Sequence, residues 1–359
     1  WPKALKLDVD DDIRKAKTIP SKFYHSPKIY RKLKKIFKRS WQFIGDTDLL
    51  EENNVHPDIL LEGMVDEPYV LTKDGENIRC LSNVCTHRGT IVCEKATKTK
   101  NLVCGYHGRQ FHIDGKMKFM PEFEDVENFP SESDNLPRIE MELWEKMIFI
   151  INDKKCDIGE LIEPMIERLS WLPIEEFKYK PELSRIYNVK ANWALYCDNY
   201  LEGFHIPFVH KDLNQTLEYD EYFTEGIDNT VLQIGIGKGK ENTFDLPKNH
   251  QDYGKNVAAY YFFLFPNMMF NFYPWGLSVN VVKPKSPEET QIEYFTYVWK
   301  EELMEKGAGS GLDKVELEDE EIVESVQKGI KSKAYDRGRY SPRREIGVHY
   351  FHKLIQKYY

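Results

Sequence analysis

Four residues could hold a metal cluster. Cys85 and His87 form a Cys-x-His hook, and after sixteen intervening residues Cys104 and His107 form a Cys-x-x-His hook. Each hook supplies one sulfur and one nitrogen. A 2Fe-2S cluster in which one iron takes both thiolates and the other both imidazoles needs this set, and imidazole ligation raises its reduction potential. Zinc also uses two Cys and two His, but its fingers usually keep like ligands together, a Cys pair in one element and a His pair in another. The mixed hooks therefore favour the iron-sulfur cluster.

A second constellation lies in the stretch 192–205, NWALYCDNYLEGFH. Read as one helix, it puts Asp198, Glu202 and His205 at i, i+4 and i+7 on one face. Two acids stacked at i, i+4 repel, which favours a site over a structural face. Pro207 disfavours helix at Ile206, so the helix is predicted to end near His205. On an unbroken helix His205 and His210 would diverge by about 140°, whereas a break lets both reach one ion. Two neutral imidazoles, one carboxylate and open positions suit a non-haem Fe(II) that binds O₂. The third ligand is open between Asp198 and the acids of LEDEEIVESVQ (317–327). Among these, Asp319 precedes the apolar pattern Ile322, Val323 and Val326 and is predicted near a helix start, with Glu320 and Glu321 as competitors.

The elements that must position these groups follow from composition and pattern. A chain of 359 residues, 41% hydrophobic, can bury two or three cores. Its net charge of −9 disfavours nucleic acid. No apolar run approaches the ~20 residues of a membrane span. The opening WPKALKLDVD shows no basic-then-apolar leader, so no signal peptide is expected, and the missing initiator Met points to trimming. Cys80, Cys93, Cys156 and Cys197 show no disulfide spacing, which fits a reducing cytoplasm. Ser26 and Pro27 open an amphipathic helix with Ile29, Leu33, Ile36 and Phe37 inward. Its basic outer face is read as solvated, with an acidic electron donor as the alternative partner. Short strands with turns at Lys73–Glu76 and Asp114-Gly115 predict a small β domain from about 41 to 155. Gly89 and Gly105 are expected to turn its hooks tightly. A helix (158–171), a strand (184–190), aromatic strands at 257–265, 268–273, 277–283 and 291–299, and helices near 315–330 and from 344 complete the chain.

The two hooks, followed by Asp198-Asn199-Tyr200-Leu201-Glu202-Gly203-Phe204-His205 and His210, resemble the catalytic α subunit of Rieske non-haem iron oxygenases. The resemblance implies an α+β chain: an N-terminal helical segment (1–40), a Rieske β domain (41–155) and a helix-grip catalytic domain with a curved antiparallel sheet (156–359). It implies a 2Fe-2S cluster on Cys85, His87, Cys104 and His107, and a mononuclear iron on His205, His210 and a late Asp aligned with Asp319. It places Asp198, Asn199 and Glu202 among the catalytic residues. Glu202 matches an acid that joins the iron to the cluster of a neighbouring subunit in a homotrimer. Electrons come from NAD(P)H through a separate flavin and iron-sulfur reductase, since no Gly-x-Gly-x-x-Gly motif is present here. Glu at 202, the single-chain size and the ending QKGIKSKAYDRGRYSPRREIGVHYFH are similar to the choline and carnitine monooxygenase branch. This implies a monooxygenase of quaternary ammonium compounds, with aromatic cis-dihydroxylation as the alternative. Arg109 stands where many members carry Trp. A Rieske electron carrier would need neither His205 nor His210, and a helix-grip lipid binder would leave the cluster idle. The aromatic residues of 257–275 could hold a cation by cation–π attraction, flank an aromatic substrate, or simply form core.

Overall fold

The computed structural model describes residues 6–239, 242–304 and 306–359; the opening WPKAL, part of the stretch read for a leader, lies outside them. The chain divides into two compact units, Phe37–Cys156, and residues up to Ile36 together with Asp157–Tyr359. The N-terminal segment thus groups with the C-terminal residues. Its helix, Pro27–Lys38, buries Ile29, Leu33, Ile36 and Phe37, the stripe its periodicity requires.

Phe37–Cys156 is built from antiparallel strands. Gln42–Asp46, Met147–Ile151, Arg138–Trp144, Asn77–Ser82, Glu67–Asp74 and Val55–Leu60 neighbour one another in that order. Asn101–Val103, Gln110–His112 and Met117–Phe119 form a separate three-stranded sheet. The apolar run Met147–Ile151 is buried along its whole length, as such a run demands. Val55, Val70, Leu81, Leu102 and Phe111 pack with Cys85 and Cys104 in one core cluster. The sulfurs are therefore set by the packing of the domain itself.

The other unit holds an antiparallel meander of six strands, Phe223–Ile227, Thr230–Ile236, Val257–Leu264, Met268–Tyr273, Gly276–Ser286 and Glu289–Val298. Lys178–Tyr179 and Arg185–Val189 both pair with the last of these. The four later strands are rich in β-branched and aromatic residues, as their sequence predicts. The first two went unread because FTEGI and TVLQIGI carry Gly and polar residues that blur the alternation.

The helix predicted over 192–205 ends earlier, at Tyr200. Asn192 caps its start, accepting from the Ala194 N–H at 3.0 Å. His205 instead precedes a four-residue helix, Ile206–Val209, with Pro207 in its first turn, where a missing N–H costs nothing. Asp198, Glu202 and His205 consequently do not share one helix face. The late helix runs Leu312–Gly329 and packs on Trp193–Tyr200. The last helix, Ile346–Tyr358, meets the chain through Gly347, where a Cβ would lie 2.3 Å from the Leu201 carbonyl oxygen.

Candidate metal centres

The two cysteine hooks fold alike. The Cys85 N–H donates to the Thr90 carbonyl and the Cys104 N–H to the Arg109 carbonyl, each at 2.8 Å. Gly89 and Gly108 donate back to the carbonyls of Cys85 and Cys104, at 2.9 and 3.1 Å. Both glycines have left-handed φ, +76° and +71°. The turn glycine of the second hook is therefore Gly108 and not Gly105, because the turn closes four residues after the cysteine in both loops. Identical loops carry His two residues after Cys85 and three after Cys104, which accounts for the unequal spacing.

Cys85 and Cys104 are buried, while His87 is half-buried and His107 exposed. The imidazole centroids lie 4.8 Å apart. Burial raises the Cys85 thiol pKa, opposed by the backbone N–H groups of His87 and Arg88 that reach its sulfur; such N–H groups tune a cluster's potential. Two buried sulfurs and two adjacent imidazoles nearer the surface fit a 2Fe-2S cluster whose histidine side faces outward. Arg109, to which spacing assigned nothing, is 2% exposed and pairs with Asp134 at 2.7 Å. Thr86 donates to the Asp134 carbonyl at 2.7 Å, so the Asp134 loop ties both hooks together.

In the other unit, ligand atoms of His205, His210 and Asp319 lie within 4.8 Å of one another. The Nε2 atoms of His210 and His205 stand 3.0 and 3.5 Å from Asp319 Oδ1. Each Nδ1 faces a carboxylate, Glu202 for His205 at 2.7 Å and Glu318 for His210 at 2.8 Å. A carboxylate accepts, so the ring proton belongs on Nδ1 and the Nε2 lone pair points at the site. Glu202 also accepts the His205 backbone N–H at 3.0 Å. Asn199 donates to Asp319 Oδ1 at 2.6 Å. Burial opposes charge on His210, but the Asp319 and Glu318 carboxylates outweigh it and raise its pKa. A cation at Nε2 answers the same field. Two imidazoles and one carboxylate with room beside them fit a mononuclear Fe(II).

Three expectations change. Asp198 is no candidate ligand: it accepts from Tyr24 at 2.7 Å and meets His352 at 2.9 Å, joining the first and last segments of its unit. The 100° step of the helix aims it away from neighbouring Asn199. Asp319 lies mid-helix and not near a helix start, because Leu312–Gly329 begins after Gly311, at φ +63°. Glu320 and Glu321 do not join the ligand group. Glu318, also among the acids of 317–327, does not join the ligand group but faces His210 Nδ1, a role that spacing does not show until the helix phase is known.

A cavity of about 120 Å³ adjoins the site, lined by Tyr196, Tyr200, Tyr222, Tyr261, Tyr273 and Tyr294, with Gln233, Asn271, Ser278, Asn280 and Glu316 among its polar groups. Of the aromatic residues at 260–275 only Tyr261 and Tyr273 line it. Strand alternation sends Tyr260, Phe262, Phe270 and Phe272 into the opposite, fully buried face. Burial raises the pKa of all six lining phenols, so their rings stay neutral.

Residues 40–130 match the Rieske [2Fe-2S] domain, and residues 169–359 match the family described as Ring hydroxylating alpha subunit (catalytic domain). The second match covers more than half of the chain. The chain belongs to the ring-hydroxylating α-subunit family. This Rieske-type oxygenase carries a 2Fe-2S cluster and a mononuclear iron and draws its electrons from a reductase. It is 28% identical over 354 residues to choline monooxygenase, chloroplastic, of Beta vulgaris, covering 94% of this chain and 76% of that protein. It is 29% identical to the carnitine monooxygenase oxygenase subunit of Escherichia coli (strain K12), covering 95% and 94%. A solved quaternary ammonium Rieske monooxygenase, CntA, superimposes with a TM-score of 0.80 at 25% identity, covering 99% of each chain. Among the described residues of this Rieske oxygenase, no helix is long and apolar enough to cross a membrane.

Proposed function

We propose that this Rieske oxygenase is a monooxygenase that hydroxylates a C–H bond of a small quaternary ammonium compound. The observation that carries this reading is the tyrosine-walled cavity beside His205, His210 and Asp319. Neutral ring faces attract a quaternary ammonium with about 0.5–2 kcal/mol per contact. The names of the choline and carnitine monooxygenase relatives support the same class. One oxygen atom of O₂ enters the C–H bond as hydroxyl and the other leaves as water, with two electrons and two protons taken from NAD(P)H and solvent.

The mononuclear iron supplies O₂ activation and the cluster supplies single electrons. The rest falls to the side chains. His205, His210 and Asp319 hold the iron, Asn199 fixes the Asp319 carboxylate, and Glu202 and Glu318 set the two imidazoles. Glu202 links His205 to the cluster of a neighbouring copy in a homotrimer. The exposed His107, with the Tyr106 ring tilted against it at a centroid distance of 3.7 Å, supports an exit for the electron at the domain surface. A solved quaternary ammonium Rieske monooxygenase, 25% identical to this chain, is described as revealing inter-subunit electron transfer. The electron donor is a separate flavin and iron-sulfur reductase. The four cysteines outside the cluster, Cys80, Cys93, Cys156 and Cys197, form no disulfide among the described residues, which supports a reducing compartment such as the cytoplasm.

The test is O₂ uptake by the holoenzyme with a reductase and NADH, offering trimethylammonium compounds and simple aromatics side by side. Coupled uptake with a trimethylammonium compound and one labelled oxygen atom in the product is expected. A cis-diol from an arene, with no turnover of any ammonium compound, would overturn the proposal.

A further inference from the structure

Glu316 lines the cavity yet is 4% exposed. Its Oε2 accepts from the Tyr196 hydroxyl at 2.7 Å and from Tyr294. The two phenol oxygens stand 2.7 Å apart, a contact that carries no proton of its own once both hydroxyls donate to the carboxylate. This clamp fixes the carboxylate from a helix and from a sheet strand at once. Its Oε1 is buried with no hydrogen-bond partner among the described residues. A bare buried acceptor costs about 1–3 kcal/mol, and more when charged, so a carboxylate kept this way beside a substrate cavity points to a ligand that completes it. Burial, opposed by the Tyr294 and Tyr196 hydroxyls, pushes the Glu316 carboxyl up to about 8. A cation in contact with it reverses that balance.

The other charged groups of the wall have one sign. Glu202, Glu316 and Asp319 line the cavity, and among the described residues no Lys or Arg does. Away from the iron, a substrate carboxylate would meet Glu316 and find no ammonium or guanidinium partner. Gln233 adds a second buried oxygen, its Oε1, with no donor among the described residues. Glu316 and Asp319 stand at i, i+3 on Leu312–Gly329, where Cβ atoms lie roughly 5–6 Å apart. A cation seated on Glu316 therefore presents a methyl or adjacent methylene toward the ligands His205, His210 and Asp319.

We propose that Glu316 is the counter-ion of the substrate's ammonium group, and that the cavity selects quaternary ammonium compounds without a carboxylate, choline-like alcohols over carnitine-like zwitterions. This rests on the quaternary ammonium reading above and adds the residue and the substrate subclass to it.

The experiment is anaerobic titration calorimetry on the iron-loaded holoenzyme with choline, L-carnitine and 3,3-dimethylbutan-1-ol, the neutral carbon isostere of choline. The wild type is expected to bind choline about tenfold or more tightly than either other compound. In Glu316→Gln, choline affinity is expected to fall about tenfold or more, toward that of the isostere, whose own affinity stays put, the tyrosine rings retaining part of the preference. A Glu316→Gln protein with intact iron content that binds choline as the wild type does would overturn the counter-ion. Equal wild-type affinity for L-carnitine and choline would overturn the selection. A wild type that binds no trimethylammonium compound at all removes the broader reading together with this one, and is thereby told apart from failure of Glu316 alone. Should Glu316→Gln not fold, Tyr294→Phe, which keeps the ring but removes one clamp, is expected to lower the choline-to-isostere ratio; an unchanged ratio refutes the assignment.

Discussion

Glu318 offers a sharp test of how the mononuclear site is held. Its carboxylate meets His210 Nδ1 at 2.8 Å, and His210 is 2% exposed. Glu318→Ala leaves that ring N–H without its acceptor in a buried position, a loss of about 1–3 kcal/mol. The Glu318 side chain is itself 30% exposed, so water reaches part of the gap and the lower half of that range applies, about 1–2 kcal/mol. At 1.36 kcal/mol per decade this is about a 5- to 30-fold loss of iron affinity, overlapping the ~10–100-fold effect usual for partners of metal-bound histidine. The assay is anaerobic dialysis against graded chelator, reading iron per chain together with the EPR signal of the reduced cluster. Mononuclear iron should leave Glu318→Ala at lower chelator concentration, with the cluster signal unchanged. Glu318→Gln, whose amide oxygen can still accept, should fall between. Iron retention identical to the wild type at every chelator concentration would refute the tautomer argument for His210.

Glu202→Gln should differ from Glu318→Ala in kind: with saturating Fe(II), Glu318→Ala regains turnover, whereas Glu202→Gln stays about 10- to 100-fold slow in NADH-coupled assays, since it also breaks the proposed link to the cluster. Arg109→Met should lower stability by about 1–3 kcal/mol in denaturant titrations, because Asp134, still held by Ser131, loses its ion pair and the loop tying both hooks loosens. Arg168 and Asp252 form a buried pair at 2.6 Å, so Asp252→Ala should cost about 3–5 kcal/mol without altering either metal. Burial opposes ionisation of Asp252, but Lys255 and Arg168 outweigh it and hold its carboxyl below the usual range. A folded pKa below the unfolded one gives stability that is present above pH ~4 and lost as pH falls through the folded value. The stability gap between wild type and Asp252→Asn should accordingly shrink below pH ~4, and a gap constant down to acid unfolding would contradict the sign.

The hooks were legible because thiolates and imidazoles at short spacing have few other uses. Gly108 was not, since the loop register counts from cysteine and not from histidine. His205 and His210 were found through the proline break, although the break acts differently: Pro207 starts a short helix. The hardest segment was Leu312–Gly329. Its apolar residues suggested the inward face, yet Leu317, Ile322 and Val326 are exposed while Glu316, Val323 and Gln327 are buried. A helix that turns acids inward inverts the amphipathic pattern, so Asp319 and Glu318 could be located only among the acids of 317–327, and Glu316 not at all. The late strands were readable from β-branched and aromatic runs, but which rings face the cavity depends on a register that cross-strand pairing sets.

The central claim is that one chain holds an electron-relay cluster on Cys85, His87, Cys104 and His107 and a separate oxygen-activating iron on His205, His210 and Asp319. Iron per chain and the Rieske EPR signal, measured together on wild type and Asp319→Ala, test it most directly. The account predicts about three irons in the wild type and about two in Asp319→Ala, with the same cluster signal in both. Two irons in the wild type, or three retained in Asp319→Ala, would contradict it.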